Sequence, residues 1–304
     1  MTVYLPIAGL SLNIFVLLLL GGAVGFLSGL FGVGGGFLLT PLLMFLGVPS
    51  PVAVATGANQ VVGASVSGMI AHWRRRNVDF RMGLVLVAGG VVGSALGVHL
   101  FARLRELGQV DLVINAFYVL FLGFVGGTML LEGVLALVQA NRSRPAHKRH
   151  RHRWANLPLK IRFPRSGLYI SALLPLAVGA FGGLLAAIMG VGGGFVLVPL
   201  MIYVLEMPTS VVVGTSLFQI IFVTANVTFL QAIHTQTVDV VLMLTLLVGG
   251  VIGAQMGARF GIRLRAEQTR LLLAILVLAV CGGLLYQLIA TPEDVFSLAT
   301  PTSK

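Results

Sequence analysis

The sequence predicts an all-α polytopic membrane protein: two homologous repeats of about five hydrophobic segments each, with glycine-rich breaks and short half-helices. Three observations carry this expectation. The 304 residues are 57% hydrophobic and 10% charged, with a mean hydropathy of +1.01, whereas soluble chains carry roughly 25% charged residues. Apolar stretches of the about 20 residues that a helix needs to cross a bilayer core recur along the whole chain. The string GVGGGF occurs twice, at residues 32–37 and 190–195, each time ahead of a short apolar segment containing Pro41 or Pro199.

Eight long spans are expected near residues 10–30, 52–72, 82–102, 112–138, 168–188, 210–233, 238–259 and 270–290, and two short segments near 37–47 and 195–205. The first span follows no basic residue and precedes no small-residue cleavage site, so it reads as a retained segment and not a signal peptide. The two halves align along their length. A shift of 158 residues lays 32–37 on 190–195 and Pro41 on Pro199; with small slips, Pro49 falls on Pro208, Thr56 on Thr215, and GGVVGSALG ending at Gly97 on GGVIGAQMG ending at Gly257. The expected organisation is a first transmembrane repeat at 1–139, a basic cytoplasmic linker at 140–167, a second repeat at 168–290 and a short tail at 291–304. Internal duplication across a membrane is the usual construction of secondary transporters.

Short segments that dip in and return would leave four crossings per copy and parallel copies; short segments that cross would give five and an inverted second copy. Basic residues discriminate between these arrangements. The inverted arrangement places the loops at 73–81, 139–167 and 259–270 on one side, with seventeen of the 20 Lys and Arg residues, and the parallel one gathers only fourteen. The positive-inside rule therefore favours inversion, with both termini outside. Eleven residues of helix span only about 16 Å, roughly half the hydrocarbon core. Length and charge are reconciled if the glycine string itself lies within the membrane and passes the chain to a half-helix, which is tolerated only where protein or a water-lined cavity surrounds the backbone.

A half-helix starting at Phe37 or Phe195 points unpaired N–H groups and the positive end of its dipole at whatever lies beside the glycines, which favours an anion. The candidate binding residues are therefore Gly34, Gly35 and Gly36 with Gly192, Gly193 and Gly194, joined by Thr56, Asn59 and Gln60 in one half and Thr215, Ser216 and Gln219 in the other. Hydroxyl and amide groups donate hydrogen bonds to an oxyanion without adding a charge to desolvate. The alternatives are close helix packing by the glycines and interhelical hydrogen bonding by the polar residues. Neither Walker loop nor dinucleotide fingerprint fits the string, since no Gly-Lys-Ser/Thr follows and no strand precedes it. Asn226 and Gln255 are weaker candidates. Glu132, His99 and His72 sit near span ends, where snorkelling explains them, and Asp79 and Asp239, in NVDF and TVDV, read as helix N-caps.

Cys281 is the single cysteine and reads as a small buried hydrophobe. No carboxylate cluster, His/Cys metal set or nucleophile triad is visible, so no enzyme chemistry, metal or cofactor is expected. The linker carries nine Lys or Arg residues and no acidic one; this fits anionic headgroups, each basic residue contributing about 1 kcal/mol, and no nucleic-acid module accompanies it.

GVGGGF with its following proline in both halves, RFPRSGLYIS, MPTSVVVGTSLFQ and GGVIGAQMGARFG resemble the TauE/SafE family of membrane permeases, the sulfite exporter or toluene sulfonate uptake family, over about residues 10–290. The resemblance implies a multi-pass inner-membrane permease for a small anion such as sulfite, sulfoacetate or a sulfonate, with a proton or ion as the candidate coupling partner, acting by alternating access at the repeat interface. It leaves substrate, direction and oligomeric state open. The family is often described with four spans per half, which differs from the charge count above. An anion-selective channel and a membrane scaffold without transport activity are the alternatives.

Overall fold

A computed structural model describes residues 2–31, 35–108, 110–138, 158–260 and 266–289. Ten helices are described: α1 Ile14–Phe31, α2 Gly36–Phe45, α3 Ser50–Arg74, α4 Phe80–Glu106, α5 Val110–Val138, α6 Leu173–Met189, α7 Gly194–Tyr203, α8 Thr209–His234, α9 Val240–Phe260 and α10 Ala266–Ile289. They fall close to the expected segments. Five of them, at Phe80–Glu106, Val110–Leu131, Val211–His234, Val240–Gly257 and Leu271–Ile289, are long and apolar enough to cross a membrane. The 25-residue α3 has the length but a more polar sequence, with Thr56, Asn59, Gln60, Ser65 and His72 along it.

The all-helical expectation needs one correction. Two antiparallel hairpins precede α1 and α6: β1 Thr2–Leu5 pairs with β2 Leu10–Asn13, and β3 Lys160–Phe163 pairs with β4 Leu168–Ser171. Each turn holds a proline and, three residues on, a glycine in the left-handed region: Pro6 with Gly9 at φ 68°, Pro164 with Gly167 at φ 66°. Proline presets one turn residue and glycine accepts the positive φ without a Cβ penalty. Residues 168–171, expected as the start of a span, are therefore strand, and residues 160–163 of the expected linker are strand too. Its residues 140–157, like the expected tail, lie outside the described residues.

Helix directions follow from neighbouring side chains. Ala58 packs with Val223 and Val227, Val61 with Leu217 and Ile220, and Gly214 lies against His72 and Asn77, so α3 and α8 run antiparallel. The bundle then has two ends, named here after the aspartate buried at each. The Asp79 end holds the last residues of α3, the start of α4 and β3–β4; the Asp239 end holds the last residues of α8, the start of α9 and β1–β2. The helix α2 returns to the end from which α1 set out: a Cβ on Gly47 would lie 4.0 Å from Leu10, ahead of α1. Likewise the last residues of α7 and those after it, Met201, Leu205 and Met207, pack with Phe163 and Ile170 of the second hairpin. The expected spans at 10–30 and 168–188 thus do not run through alone. Each forms an in-and-out pair with its short partner, because the glycine string turns the chain back.

The tightest helix contacts join distant parts of the chain. A Cβ on Gly25 would sit 2.2 Å from the carbonyl oxygen of Gly250, and one on Gly253 would sit 2.0 Å from that of Gly22. On the other flank, a Cβ on Gly93 would meet the oxygen of Ala180 at 1.9 Å and one on Gly183 that of Gly90 at 2.1 Å. These glycine faces bring the backbones of α1 and α9, and of α4 and α6, closer than any side chain allows, which is how apolar helices gain packing energy where no hydrophobic effect drives them together. The core runs between the two flanks, around Phe37, Phe195, Tyr118 and Leu39.

Candidate functional site at the meeting of two helix ends

The glycine strings deliver α2 and α7 head to head at the centre of the bundle. Gly35 (φ 61°) and Gly193 (φ 72°) precede the two helices in the left-handed region, and neither N-terminus is capped by a side chain. The rings of Phe37 and Phe195 stack with centroids 4.7 Å apart. A Cβ on Gly36 would lie 2.3 Å from Val61 Cγ2 and 3.2 Å from the oxygen of Gly190; one on Gly192 would touch Val61, Ile220 and Thr224 within 2.9 Å. The strings are therefore in contact with each other and with the midpoints of α3 and α8. Gly34 lies outside the described residues.

The polar candidates separate into two sets. Thr56 and Gln60, four residues apart, share one face of α3, and that face looks at α9: Thr56 Oγ1 accepts from the Asp239 N–H at 3.1 Å, and the amide of Gln60 lies where a Cβ on Gly250 would be, while its Nε2 donates to the Gly21 oxygen at 3.2 Å. In the other half, Thr215 Oγ1 accepts from the Asp79 N–H at 3.0 Å and donates to the Val211 oxygen at 2.8 Å. Gln219 faces α4, its Nε2 2.8 Å from a Cβ placed on Gly90. Both glutamines are buried; Gln60 Oε1 and both amide atoms of Gln219 have no hydrogen-bond partner. Asn59 Nδ2 is buried without a partner too, whereas Ser216 Oγ donates to the Val213 oxygen at 2.9 Å.

The face of α3 that looks at the strings is the next one round, with Val54 against Gly190 and Val61 against Gly36 and Gly192. Ser65, one turn beyond Val61, is fully buried and its hydroxyl has no partner. Its counterpart on α8 is Thr224, whose methyl borders Gly192 and whose hydroxyl donates to the Ile220 oxygen. Sequence reading passed over both, although the shift that lays Thr56 on Thr215 also lays Ser65 on Thr224.

Asp79 and Asp239 are the N-caps expected of them, and more. Asp239 Oδ1 accepts from Val241 and Leu242 N–H at 3.1 Å, while Oδ2 accepts from Ile7 and Ala8 N–H, in the first hairpin, at 3.0 and 3.4 Å. Asp79 Oδ1 accepts from Met82 N–H at 3.2 Å, and Oδ2 accepts from Ser166 N–H and Oγ–H, in the second hairpin, at 2.9 and 2.7 Å. Each aspartate thus clasps a hairpin, a helix start and a threonine from three distant stretches of chain. Of the weaker candidates, Asn226 Nδ2 donates to Ser94 Oγ at 2.8 Å, and Gln255 is exposed. The imidazole Nδ1 of His72 is buried without a partner. Among the described residues no group of three or more His, Cys, Asp or Glu could hold a metal ion.

This pairing of in-and-out helices around GVGGGF can be set against known proteins. The profile of the family described as "Sulfite exporter TauE/SafE" matches residues 17–284, nearly the whole helical part of the chain. The chain belongs to the TauE/SafE family. It is 27% identical over 265 residues to the probable membrane transporter protein YjnA of Bacillus subtilis, covering 86% of this chain and 96% of that one. It is 25% identical to the probable membrane transporter protein YunE of the same organism, covering 90% and 97%, and 28% identical to a probable membrane transporter protein of Xylella fastidiosa, covering 82% and 85%. No solved structure gives a significant match. This TauE/SafE member is therefore a multi-pass membrane protein of a transporter family and not an enzyme.

Proposed function

We propose that the chain is a secondary transporter for a small anion, a sulfur-containing oxyanion or organosulfonate such as sulfite or sulfoacetate, working by alternating access between two inverted halves in the inner membrane. The observation that carries the reading is the meeting of two uncapped helix N-termini at the centre of the bundle, against Val61, one helical turn from the buried, unpartnered hydroxyl of Ser65. Helix ends favour negative charge, and neutral donors hold an oxyanion without a fixed counter-charge that would impede release. Carriers with internal repeats place their substrates at such broken helices near the membrane midplane.

In this reading the halves are 1–139 and 168–290, and the Asp79 end faces the cytoplasm with the linker at 140–167 against anionic lipid headgroups. The charge count supports it, since Arg74, Arg75, Arg76, Arg81 and the basic hairpin all lie at that end. The ligand-facing groups are the glycine strings with Ser65 and Thr224, flanked by Asn59, Gln60 and Gln219, while Thr56 and Thr215 act through the clasps. A proton or ion is the coupling partner.

The test is substrate affinity and flux in proteoliposomes for a panel of sulfite, sulfonates, sulfate and carboxylates. Gly192→Ala and Ser65→Ala should each weaken binding of the transported anion, Ser65→Ala by about tenfold for one lost hydrogen bond to a charge. Gly167→Ala, in an open hairpin turn, should leave it unchanged. Unaltered affinity in both Gly192→Ala and Ser65→Ala would remove the substrate from this place.

A further inference from the structure

We propose that His99 and His234 form a binding site for one divalent transition-metal ion of the zinc type, pinning α4 to α8 at the Asp239 end. His99 stands seven residues before the last residue of α4, and His234 is the last residue of α8. The two helices run parallel, touching at Gly83 and Phe218, at Gly90 and Val223, and at the Asn226–Ser94 hydrogen bond. Both histidines are exposed on the outside of the bundle, towards the C-terminal ends of their helices.

The ring centroids lie 5.4 Å apart with the planes tilted by 50°. Two imidazoles bound through one nitrogen each to a tetrahedral zinc ion, with bonds of about 2.0–2.1 Å, hold their ring centres about 5 Å apart. The ring separation already present matches that of two imidazoles sharing one ion. The tautomer fits as well. His99 Nδ1 is 2.9 Å from the Ala95 carbonyl oxygen; a carbonyl only accepts, so Nδ1 carries the proton and Nε2 keeps its lone pair for a metal. A backbone carbonyl holding the second ring nitrogen is the arrangement that orients metal-binding histidines.

The surroundings set limits on the site. Among the described residues no third His, Cys, Asp or Glu joins the pair, so water completes the coordination. The Arg105 guanidinium, which donates to the Thr235 oxygen at 2.6 Å, brings a positive charge close to His234, and Arg103 is paired with Glu106. Two imidazoles next to a cation describe a reversible, regulatory site rather than a resident structural ion. Binding weakens as pH falls, because protons compete for the same lone pairs. The ion would tie α4, from before the linker, to α8, from after it.

Three of the six histidines, His147, His150 and His152, lie in the linker and could capture metal themselves. The test therefore uses the full chain with those three replaced by glutamine, purified in detergent and titrated calorimetrically with Zn²⁺, with Mg²⁺ as the hard-ion control. One Zn²⁺ per chain is expected, with affinity at least tenfold lower in His99→Ala and in His234→Ala, weaker binding at lower pH and no heat from Mg²⁺. The glutamine versions of both variants should lose the ion equally while keeping side-chain bulk and hydrogen-bonding capacity. Equal Zn²⁺ binding by the His99→Ala/His234→Ala double variant, or none by the parent, overturns the site; neither result depends on whether the protein moves anions.

Discussion

Replacing each buried aspartate by asparagine removes its charge but not its size, and the two clasps should respond unequally. Asp239 accepts four backbone N–H groups, two on each oxygen. Whichever way an asparagine amide turns in its place, its NH₂ faces two N–H groups that have lost their acceptor. A buried donor without a partner costs about 1–3 kcal/mol, so Asp239→Asn should destabilise the Asp239 end by about 2–6 kcal/mol. Asp79 accepts from Met82 on one oxygen and from the N–H and hydroxyl of Ser166 on the other. An asparagine there can keep its oxygen on Ser166 and turn its NH₂ to Met82, losing a single bond at about 1–3 kcal/mol. Hydrogen–deuterium exchange reads each end separately. Asp239→Asn should speed exchange in residues 2–13 by about 30-fold or more, and Asp79→Asn should speed it in residues 160–171 by a smaller factor. Equal effects, a reversed order, or silence at Asp239 would refute the assignment of these bonds as the fastening of the hairpins.

Cysteine labelling on a Cys281→Ala background should find Arg74→Cys and Gln236→Cys on opposite sides of the membrane; the same side would end the inverted arrangement. Gly253→Val and Gly93→Val should each abolish monodisperse protein on size-exclusion chromatography, since a side chain there meets backbone at 2.0 and 1.9 Å, whereas Gly127→Ala and Gly282→Ala, with nothing within 4 Å, should elute normally. Gly9→Ala, at φ 68° in open space, should isolate the backbone cost alone, a loss of about 1–2 kcal/mol visible as a modest drop in melting temperature.

The helices were legible because span length and apolar composition are local properties, and all ten expected segments start or end within a few residues of a helix. The in-and-out pairing was not. It depends on where α2 ends in space, and the nearest signal, Leu10 beside Gly47, joins residues that no periodicity connects. The hairpins were missed for a different reason. Pro6 and Gly9 fall on Pro164 and Gly167 under the same shift of 158 residues, but strands of only four residues, set against long apolar spans, show no alternation that stands out from the neighbouring sequence. At the site, spacing correctly put Thr56 with Gln60 and Thr215 with Gln219 on single faces. It could not say which face meets the strings, because helix rotation is set by the partners, and glycines at positions 250 and 90 draw the glutamines toward α9 and α4. Hence Ser65, an unremarkable serine in the sequence, shares the string-facing side of α3 with Val54 and Val61, which Thr56 and Gln60 do not.

The glycine seams have a bearing on how the chain is made. A ribosome delivers α1 long before α9, and α4 before α6, so each stripe of bare backbone enters the membrane with its mate still unsynthesised. Until the second half arrives, lipid or an insertion factor must cover Gly22, Gly25, Gly90 and Gly93, and the first hairpin has no Asp239 to close on. Residues 1–138 expressed alone would therefore be prey for quality-control proteases. Co-expression with the remainder as a separate polypeptide should rescue them, because the seams, and not the peptide bond between the halves, hold the molecule together.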